Sequence, residues 1–335
     1  MVLRNDGRLK LSVVIPSYNN AKFLRAAIES AIAMLPEGSG EVVLVDDCSS
    51  DGSYAMALEY KKAIRVYKNK NNWGQELTTN RGLKLARGEY AVILHSDDIL
   101  HRNFYADLSV LLEQYPSAVM AVGERVEIDS SEKTIAAPAP FYDHDYLIPG
   151  VEQSKIFLLT SFLPCQVLFR RKVVLSFGGA KKFFNVNLDG LLWFKASLFG
   201  DVAYTQKCVC SYRRHLSSTT SSLNRSIVHL FEYYSTLKEM FIFAGERGLA
   251  LEESRTRAFC RIAELAVRYG KEIYAAGNAD LSRRYLMLAA AIDPRILESA
   301  AYLDVEKTIR EGMPLASGLS ARTVSYPPPP GSRQI

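Results

Sequence analysis

The sequence predicts an α/β protein with a mostly parallel sheet flanked by helices and followed by an all-helical C-terminal region. Two observations predict the sheet: short apolar runs alternate with helical patterns from residue 11 to about 125, and these runs are rich in β-branched residues. Such strands are typical of parallel sheets covered on both faces. The third observation is that only helical periodicity continues from about residue 222 to 300.

The first 130 residues alternate regularly between strand and helix patterns. The predicted strands are LSVVIPSY (11–18), EVVLVDD (41–47), IRVYKN (64–69), EYAVILHSDD (89–98) and AVMAVGERVEID (118–129). The predicted helices are AKFLRAAIESAIAML (21–35), YAMALEYKKA (54–63), the second part of NNWGQELTTNRGLKLA (71–86) and NFYADLSVLLEQYP (103–116). This order predicts strand–helix–strand units in one sheet.

The rest of the chain is predicted to fall into three parts. Residues from about 130 to 155 are Pro-rich and weakly patterned, which predicts a long loop; strand and helix patterns resume in QVLFRRKVVLSFGG (166–179) and DGLLWFKASLFGDVAYTQ (189–206). We therefore predict a first domain over 1–221 and a helical region over 222–318. The tail SYPPPPGSRQI predicts a disordered Pro-rich terminus over 319–335.

Composition bounds the class of protein. The 335 residues are 48% hydrophobic and 23% charged, as in soluble globular proteins. The net charge of +5 is mild and the basic residues are scattered, so we expect no nucleic-acid partner. Five dispersed cysteines form no zinc framework, and the N-terminus lacks a secretory apolar core. We expect a cytoplasmic protein, with peripheral contact at the inner face of the membrane left open.

The candidate functional residues follow the predicted strands. Asp46–Asp47 and Asp97–Asp98 end two of them, and ligands of parallel sheets bind at the carboxyl ends of the strands. Hard oxygen ligands suit Mg²⁺ or Mn²⁺ bound together with a diphosphate. The alternative is that each aspartate caps the turn or helix that follows it. Neither GxGxxG nor GxxxxGK[ST] occurs, which argues against Rossmann dinucleotide and P-loop enzymes.

Five motifs in order resemble the family 2 glycosyltransferases of the GT-A fold. They are LSVVIPSYNN, VVLVDDCSSDGS, NNWGQELTTNRGLKLARGEYAVILHSDD, LFRRKVVLSFGG with LDGLLWFKASLFG, and YRRH. The resemblance covers roughly residues 10 to 216 and leaves out the C-terminal third. It implies the fold of nucleotide-diphospho-sugar transferases and an inverting enzyme that moves a sugar from a nucleotide-sugar to an acceptor hydroxyl.

The resemblance also implies roles for individual residues. The nucleotide would be bound by Pro16, Tyr18, Asp46, Asp47 and Asp97, with Asp47 receiving the base. The metal, Mn²⁺ or Mg²⁺, would be held by Asp98 and His215. Asp189 would be the general base, a role that suits a carboxylate because a sugar hydroxyl must lose its proton as it attacks; the alternative for Asp189 is a plain helix N-cap.

Further residues are candidate contacts to donor or acceptor: Trp73, His95, Arg213 and Arg214. Two positions depart from the family pattern. His95 stands where the family often has Asp, and Leu188 stands where it often has Glu before the base. These departures weaken the metal prediction and are the only sequence features that favour a protein without catalytic activity.

We therefore predict a metal-assisted glycosyltransferase of surface polysaccharide, lipopolysaccharide or glycoprotein glycan synthesis. Its donor would be UDP-, GDP- or dTDP-linked, and its acceptor a glycan, a lipid-linked sugar or a protein. The helical region could mediate self-association as a homo-oligomer. The alternative is a non-catalytic scaffold acting through its helices. A sugar-nucleotide pyrophosphorylase is disfavoured, because PSYNNAKF stands where that class needs a Gly-rich basic loop.

Overall fold

The computed structural model describes residues 9–180, 188–215, 227–313 and 325–335. The chain divides into two compact units, Met1–Arg214 with Arg322–Ile335, and His215–Ala321. The predicted domain boundaries at 221/222 and 318/319 fall in 216–226 and 314–324, outside the described residues. Each unit is therefore considered by itself.

The first unit is built on a mixed sheet. Its strands are β1 (Leu11–Ser17), β2 (Gly40–Asp46), β3 (Arg65–Lys68), β4 (Tyr90–Ile93), β5 (Ile99–Leu100), β6 (Ala118–Ile128), β7 (Thr134–Ala136), β8 (Tyr146–Ile148), β9 (Val167–Arg170), β10 (Asp201–Arg213) and β11 (Arg333–Gln334). The order is β11-β8-β10-β6-β9-β4-β1-β2-β3, with β5 on β10 and β7 on β6. Strands β3, β2, β1 and β4 are parallel, and so are β6 and β10, whereas β9 is antiparallel to both of its neighbours.

Helices flank this sheet. They are α1 (Ala21–Ala33), α2 (Ser53–Glu59), α3 (Gln75–Leu85), α4 (Phe104–Gln114), α5 (Gly150–Phe157), α6 (Arg171–Ser176) and α7 (Leu188–Ser197). The core lies between the layers: Val13 and Ile15 of β1 are fully buried with Leu24 and Ile28 of α1. The predicted α/β class with a helical C-terminal region is confirmed. Parallel pairing brings the carboxyl ends of β1, β2 and β4 to one edge of the sheet.

Two expectations about irregular segments are corrected. The long loop predicted over about 130–155 contains β7, β8 and the start of α5. Strand β8 has only three residues, and its hydrogen bonds are to β10, far away in the sequence. The local sequence pattern is therefore too short to predict this strand.

The tail is the second correction. Residues 325–335 are not a disordered extension, because β11 pairs with β8 and the Tyr326 amide donates to the Phe141 carbonyl at 2.7 Å. Prolines 327–330 set the composition of the tail, but the flanking residues have amides that can join a sheet edge.

The second unit is helical. It contains α8 (Ile227–Gly245), α9 (Glu252–Ala275), α10 (Ala279–Ile292) and α11 (Ala300–Glu311). Asn278 caps α10 by accepting the Leu281 amide at 3.0 Å, and the Ser282 hydroxyl ties α10 to the Gly270 carbonyl of α9 at 2.7 Å. A cavity of about 470 Å³ lies against α9 and α11. Within the described ranges, no helix is both long and apolar enough to cross a membrane.

Candidate functional site

Two buried polar atoms lie side by side at the ends of β1 and β2. Ser17 and Asp46 are register partners, and both side chains are buried. Asp46 Oδ1 accepts the Ser49 amide at 3.0 Å, whereas Asp46 Oδ2 and the Ser17 hydroxyl have no hydrogen-bond partner among the described residues. Because a buried polar atom without a partner is costly, this pair marks a place suited to a polar ligand.

Asp47 has a different environment from Asp46. Its Oδ1 accepts the Asn69 side-chain amide at 2.7 Å and the Trp73 backbone amide at 2.8 Å, and its Oδ2 accepts the Gly74 amide at 2.9 Å. Gly74 has φ +88°, a conformation that favours glycine. Asp47 therefore holds the loop before α3. Of the two aspartates at the end of β2, Asp46 is the one that keeps an oxygen without a partner among the described residues.

Two aromatic rings border this edge of the sheet. Pro16 is buried within β1, whereas Tyr18, just beyond the strand, is 50% exposed. Trp73 is 41% exposed, and the Arg81 guanidinium lies 5.5 Å from the centroid of its ring. Exposed aromatic faces of this kind can stack on a base or a sugar.

Three candidate metal ligands follow β4. One ligand atom from each of His95, Asp97 and Asp98 lies within 4.8 Å of the others. The Gln75 side-chain amide lies 2.8 Å from His95 Nε2, a hydrogen bond that orients the imidazole ring. Two carboxylates and an imidazole form a donor set that suits Mn²⁺ or Mg²⁺.

The electrostatics of Asp98 fit a cation at this place. Burial raises the pKa of Asp98 well above its ordinary value, and the charge of Asp97 raises it further. Hydrogen bonds from the Arg213 backbone amide, at 3.0 Å, and from the Cys165 thiol act in the opposite direction. A divalent cation would relieve the cost of holding two carboxylates together in a buried position, so the residues present fit the metal.

Arg213 differs from the expected phosphate contact. Its side chain is 1% exposed, and its guanidinium donates to the Asp97 carbonyl at 2.8 Å, the Asp129 carbonyl at 3.0 Å and Glu132 Oε1 at 3.1 Å. All three nitrogen atoms of the guanidinium are thus engaged inside the protein. This corrects the prediction that Arg213 touches the donor or acceptor directly.

Arg214 and His215, which follow Arg213, differ in how well their environments fit their predicted roles. Arg214 has a 56% exposed side chain and pairs with Glu127 at 3.1 Å, which leaves it accessible to a ligand. His215 is partly buried and belongs to the second compact unit. The cluster of candidate ligands found in the described part of the chain does not include it, so His215 as a metal ligand stays a prediction.

Asp189 lies in the first turn of α7, after the buried Leu188. Burial raises the pKa of Asp189, and the His95 imidazole acts to lower it. That electrostatic interaction links Asp189 to the residue that begins the metal-ligand cluster. A carboxylate with a raised pKa is a stronger base than an ordinary aspartate, which suits the predicted role.

Sequence patterns did not identify two partners of this cluster. Gln75, which orients His95, follows the Trp73–Gly74 turn, and Cys165, which donates to Asp98, precedes β9. Cys165 itself is buried. Only the tertiary fold brings Cys165 beside Asp98, and a lone cysteine gives no signal of such a contact.

Comparisons with known proteins identify similar sequences. The family model described as glycosyl transferase family 2 matches residues 12–175. An uncharacterized glycosyltransferase of Rickettsia typhi is 26% identical over 86% of each chain. A poly(ribitol-phosphate) beta-N-acetylglucosaminyltransferase of Staphylococcus aureus, TarS, is 28% identical over 34% of this chain and 21% of its own.

Solved structures show the same fold. TarS 1–349 in complex with UDP-GlcNAc has a TM-score of 0.58 at 18% identity, covering 91% of this chain and 93% of its own. A mannosyltransferase from Pyrobaculum calidifontis, in complex with GDP-Man and Mn²⁺, has a TM-score of 0.53 at 16% identity over 90% and 87%. The family model over residues 12–175, together with relatives that are named as glycosyltransferases, supports an inverting family 2 glycosyltransferase that uses a nucleotide-sugar donor.

Proposed function

We propose that this enzyme uses a divalent ion at His95, Asp97 and Asp98, a UDP-linked donor bound at Asp46, and Asp189 as the general base. The observation that carries the proposal is the cluster of His95, Asp97 and Asp98, whose ligand atoms lie within 4.8 Å of one another just after β4. A base and a metal must serve the same bond in glycosyl transfer.

The donor nucleotide is proposed to be uridine diphosphate. Asp47 is the residue expected from the sequence to receive the base, but both of its oxygens accept protein N–H groups, whereas Asp46 Oδ2 is a buried acceptor without a partner among the described residues. Asp46 therefore suits the N3–H donor of a uracil or thymine ring. Guanine also presents an N–H donor, so this atom alone does not separate UDP from GDP. The TarS structures with UDP and UDP-GlcNAc support the choice of UDP.

The metal is proposed to be Mn²⁺ or Mg²⁺ held by His95, Asp97 and Asp98. When bound, such an ion neutralises the charge that develops on the leaving diphosphate. Gln75 keeps the His95 ring in place, and the Cys165 thiol and the Arg213 amide keep the Asp98 carboxylate in place. These contacts prepare the ligands before the donor arrives.

Asp189 is proposed to take the proton of the acceptor hydroxyl. As the new bond forms between that oxygen and C1 of the sugar, the bond from C1 to the diphosphate breaks and its electron pair leaves with the diphosphate. Attack from the face opposite the leaving group inverts the anomeric centre. The raised pKa of Asp189 makes its carboxylate a better proton acceptor, provided the pH stays above that pKa.

The acceptor is proposed to be a hydroxyl of a glycan in a cell-surface polymer. TarS, a relative, is named for transfer of N-acetylglucosamine to poly(ribitol-phosphate). Lipid-linked and protein acceptors, a cytoplasmic location and peripheral contact with the inner membrane face stay predictions. Self-association through α8 to α11 also stays a prediction, which sedimentation of the full chain would test.

The test uses thermal shift with UDP, GDP, dTDP, CMP and their common sugar conjugates, each with Mn²⁺ or with EDTA. A ligand at 100 times its Kd stabilises the native state by about 2.7 kcal/mol, which is readily measured. We expect a shift with UDP and Mn²⁺ that disappears in EDTA. No shift with any of these nucleotides from a folded sample would contradict the donor and metal assignments.

The base is tested with Asp189→Asn. We expect the UDP–Mn²⁺ thermal shift to persist while transfer from the donor identified by the panel falls by about 10²–10⁴-fold. The matched control is Asp107→Asn, another first-turn aspartate, which pairs with Lys207 at 2.7 Å. Unchanged transfer in Asp189→Asn would remove Asp189 from the mechanism.

A further inference from the structure

Arg213 is a buried cation at the end of β10. Its side chain is 1% exposed, and the residue pairs in register with Ile128 of β6. A buried charge is costly unless hydrogen bonds and counter-charges compensate it. The contacts of Arg213 therefore indicate what the residue is there to hold.

One set of contacts goes to the candidate metal ligands. Arg213 Nε donates to the Asp97 carbonyl at 2.8 Å, and the Arg213 backbone amide donates to Asp98 Oδ1 at 3.0 Å. Arg213 thus contacts both of the consecutive aspartates. It binds the main-chain carbonyl of Asp97 and the side-chain carboxylate of Asp98. The guanidinium itself is buried, so a ligand in solution does not reach it.

The other set goes to the turn between β6 and β7. Nη1 donates to the Asp129 carbonyl at 3.0 Å and Nη2 to Glu132 Oε1 at 3.1 Å. This turn is closed internally, because Asp129 Oδ1 accepts the Ser131 amide at 2.8 Å. The guanidinium also lies 4.7 Å from the ring centroid of Phe23 in α1. The turn and α1 therefore fix the guanidinium in place.

We propose that Arg213 is a positioning residue, which ties the Asp97–Asp98 segment to the β6–β7 turn and so sets the geometry of the metal ligands. This inference rests on the proposed function, since it assumes that a metal binds there. The planar fork of arginine can serve three acceptors in fixed directions, and the single ammonium of lysine cannot. Loss of the fork frees the Asp97 carbonyl and lets its carboxylate turn away.

The test compares Arg213→Met and Arg213→Lys with the wild-type chain. Mn²⁺ binding is measured by electron paramagnetic resonance at saturating UDP, UDP affinity is measured separately at saturating Mn²⁺, and unfolding is followed by heat. We expect Arg213→Met to weaken Mn²⁺ binding by about 10–100-fold, as outer contacts to metal ligands do, with UDP affinity at saturating Mn²⁺ unchanged. Arg213→Lys should weaken it in the same direction.

The matched control is Arg170→Met. Arg170 Nε donates to the Ala118 carbonyl at 2.9 Å and Nη2 to the Leu112 carbonyl at 2.8 Å, so it also joins neighbouring elements, but at the start of β6. We expect this variant to lose thermal stability while its Mn²⁺ affinity stays that of the wild type. A purely structural role for Arg213 would make the two arginine variants behave alike.

The outcomes separate this inference from the proposed function. Wild-type Mn²⁺ affinity in a folded Arg213→Met or Arg213→Lys would overturn the positioning role and leave the proposed function standing. If neither variant folds, Glu132→Met decides, since Glu132 is 53% exposed and holds only the far end of the fork, and methionine keeps the side-chain length without an oxygen acceptor. Weaker Mn²⁺ binding in that variant supports the role, and unchanged binding overturns it. Wild-type protein that binds UDP equally well with Mn²⁺ and with EDTA, and that gives no signal of bound Mn²⁺, would overturn both.

Discussion

In the first unit, charged side chains lie inside the structure near the ends of strands, whereas in the second unit most of them lie on helix surfaces. Asp46, Asp98 and Arg213 are buried in the first unit. The second unit has exposed pairs one helical turn apart, such as Arg261–Glu264 and Arg283–Asp280. Exposed pairs contribute little to stability, so the first unit bears electrostatic costs that the second largely avoids.

The difference between the two units indicates that functional residues lie where charges are buried. Natural proteins keep buried charges without full compensation mainly where those charges bind or react with something. In the first unit, Asp46, whose Oδ2 has no partner among the described residues, and Asp98, whose pKa is raised, lie at or just after strand ends. Asp189, whose pKa is also raised, lies in the first turn of α7.

The first prediction is that Asp98→Asn lowers transfer activity and raises the stability of the metal-free protein. We expect transfer to fall by at least about 100-fold, because the charge stabilisation supplied by a bound metal is worth several kcal/mol. The metal-free protein should become more stable by about 1 kcal/mol, since burial and Asp97 raise the pKa of Asp98 and the neutral amide carries no such cost. Metal-free urea unfolding and transfer assays measure both effects.

A control with the opposite sign lies in the second unit. Asp293 is also buried, but the Arg295 guanidinium contacts both of its oxygens, at 2.8 and 2.7 Å, and holds its pKa below the ordinary value. Asp293→Asn should therefore destabilise the protein. If both variants changed stability in the same direction, the contrast between a strained site and a satisfied pair would be lost.

The second prediction concerns acid and the second unit. Burial, with a smaller effect from Arg268, lowers the pKa of His229 to about 4 from an ordinary value of 6.5. Between pH 6.5 and 4 the unfolded chain then binds more protons than the folded one, so stability falls as the pH falls. The loss is at most about 3 kcal/mol.

This loss is measured by urea unfolding from pH 7 to 4 with His229→Phe. Phenylalanine should pack beside Tyr233 and Tyr269 and remove most of the pH dependence. His144→Gln is the matched control, since His144 is 55% exposed and should leave the pH dependence unchanged. A pH profile of His229→Phe that matches the wild type would contradict the assignment.

The contrast also shows what the sequence predicts well. Parallel strands bring their carboxyl ends to one edge, so the motif containing Asp46 and Asp47 was sufficient to predict where both lie. Which of the two keeps an open oxygen depends on the loop at Trp73, which closes on Asp47 across 26 residues. A local pattern contains no information about that closure.

Arg213 illustrates the same limit. In the sequence it is one of several pairs of basic residues, with nothing to distinguish it from Arg214. Its burial results from hydrogen bonds to residues more than 80 positions away, at Asp97, Asp129 and Glu132. In the second unit, by contrast, helical periodicity predicts α8, α9 and α10 well, because a helix is stabilised by neighbours within one turn.

The third prediction concerns acid and the first unit. Burial acts to raise the pKa of Glu41, but hydrogen bonds from Arg65, the Arg87 amide and Ser12 outweigh it and hold the pKa below 4.5. This stabilisation is present above the unfolded pKa and is lost as the pH falls through the folded one. Glu41→Gln should destabilise the first unit by about 2 kcal/mol at pH 7 and by less at pH 3.

The measurement is urea unfolding of wild type and Glu41→Gln at both pH values. From pH 6.5 to 5, where His229 already destabilises the second unit, Glu41 stays ionised and its contribution should be constant. The two units are thus expected to lose stability in different pH ranges. Equal destabilisation by Glu41→Gln at pH 7 and pH 3 would show that the carboxylate is not what the arginines stabilise.

The smallest expected effect tests where the tail belongs. The Tyr326 ring lies 5.0 Å from the ring of Phe141, and it is 46% exposed, so Tyr326→Ala should cost about 1 kcal/mol. Because the tail adds β11 to the sheet of the first unit, that unit should lose the stability, although the helical unit lies between them in sequence. Amide hydrogen exchange should show faster exchange in β8 and unchanged exchange in α9. Faster exchange confined to α9 would assign the tail to the helical unit and contradict the division of the chain.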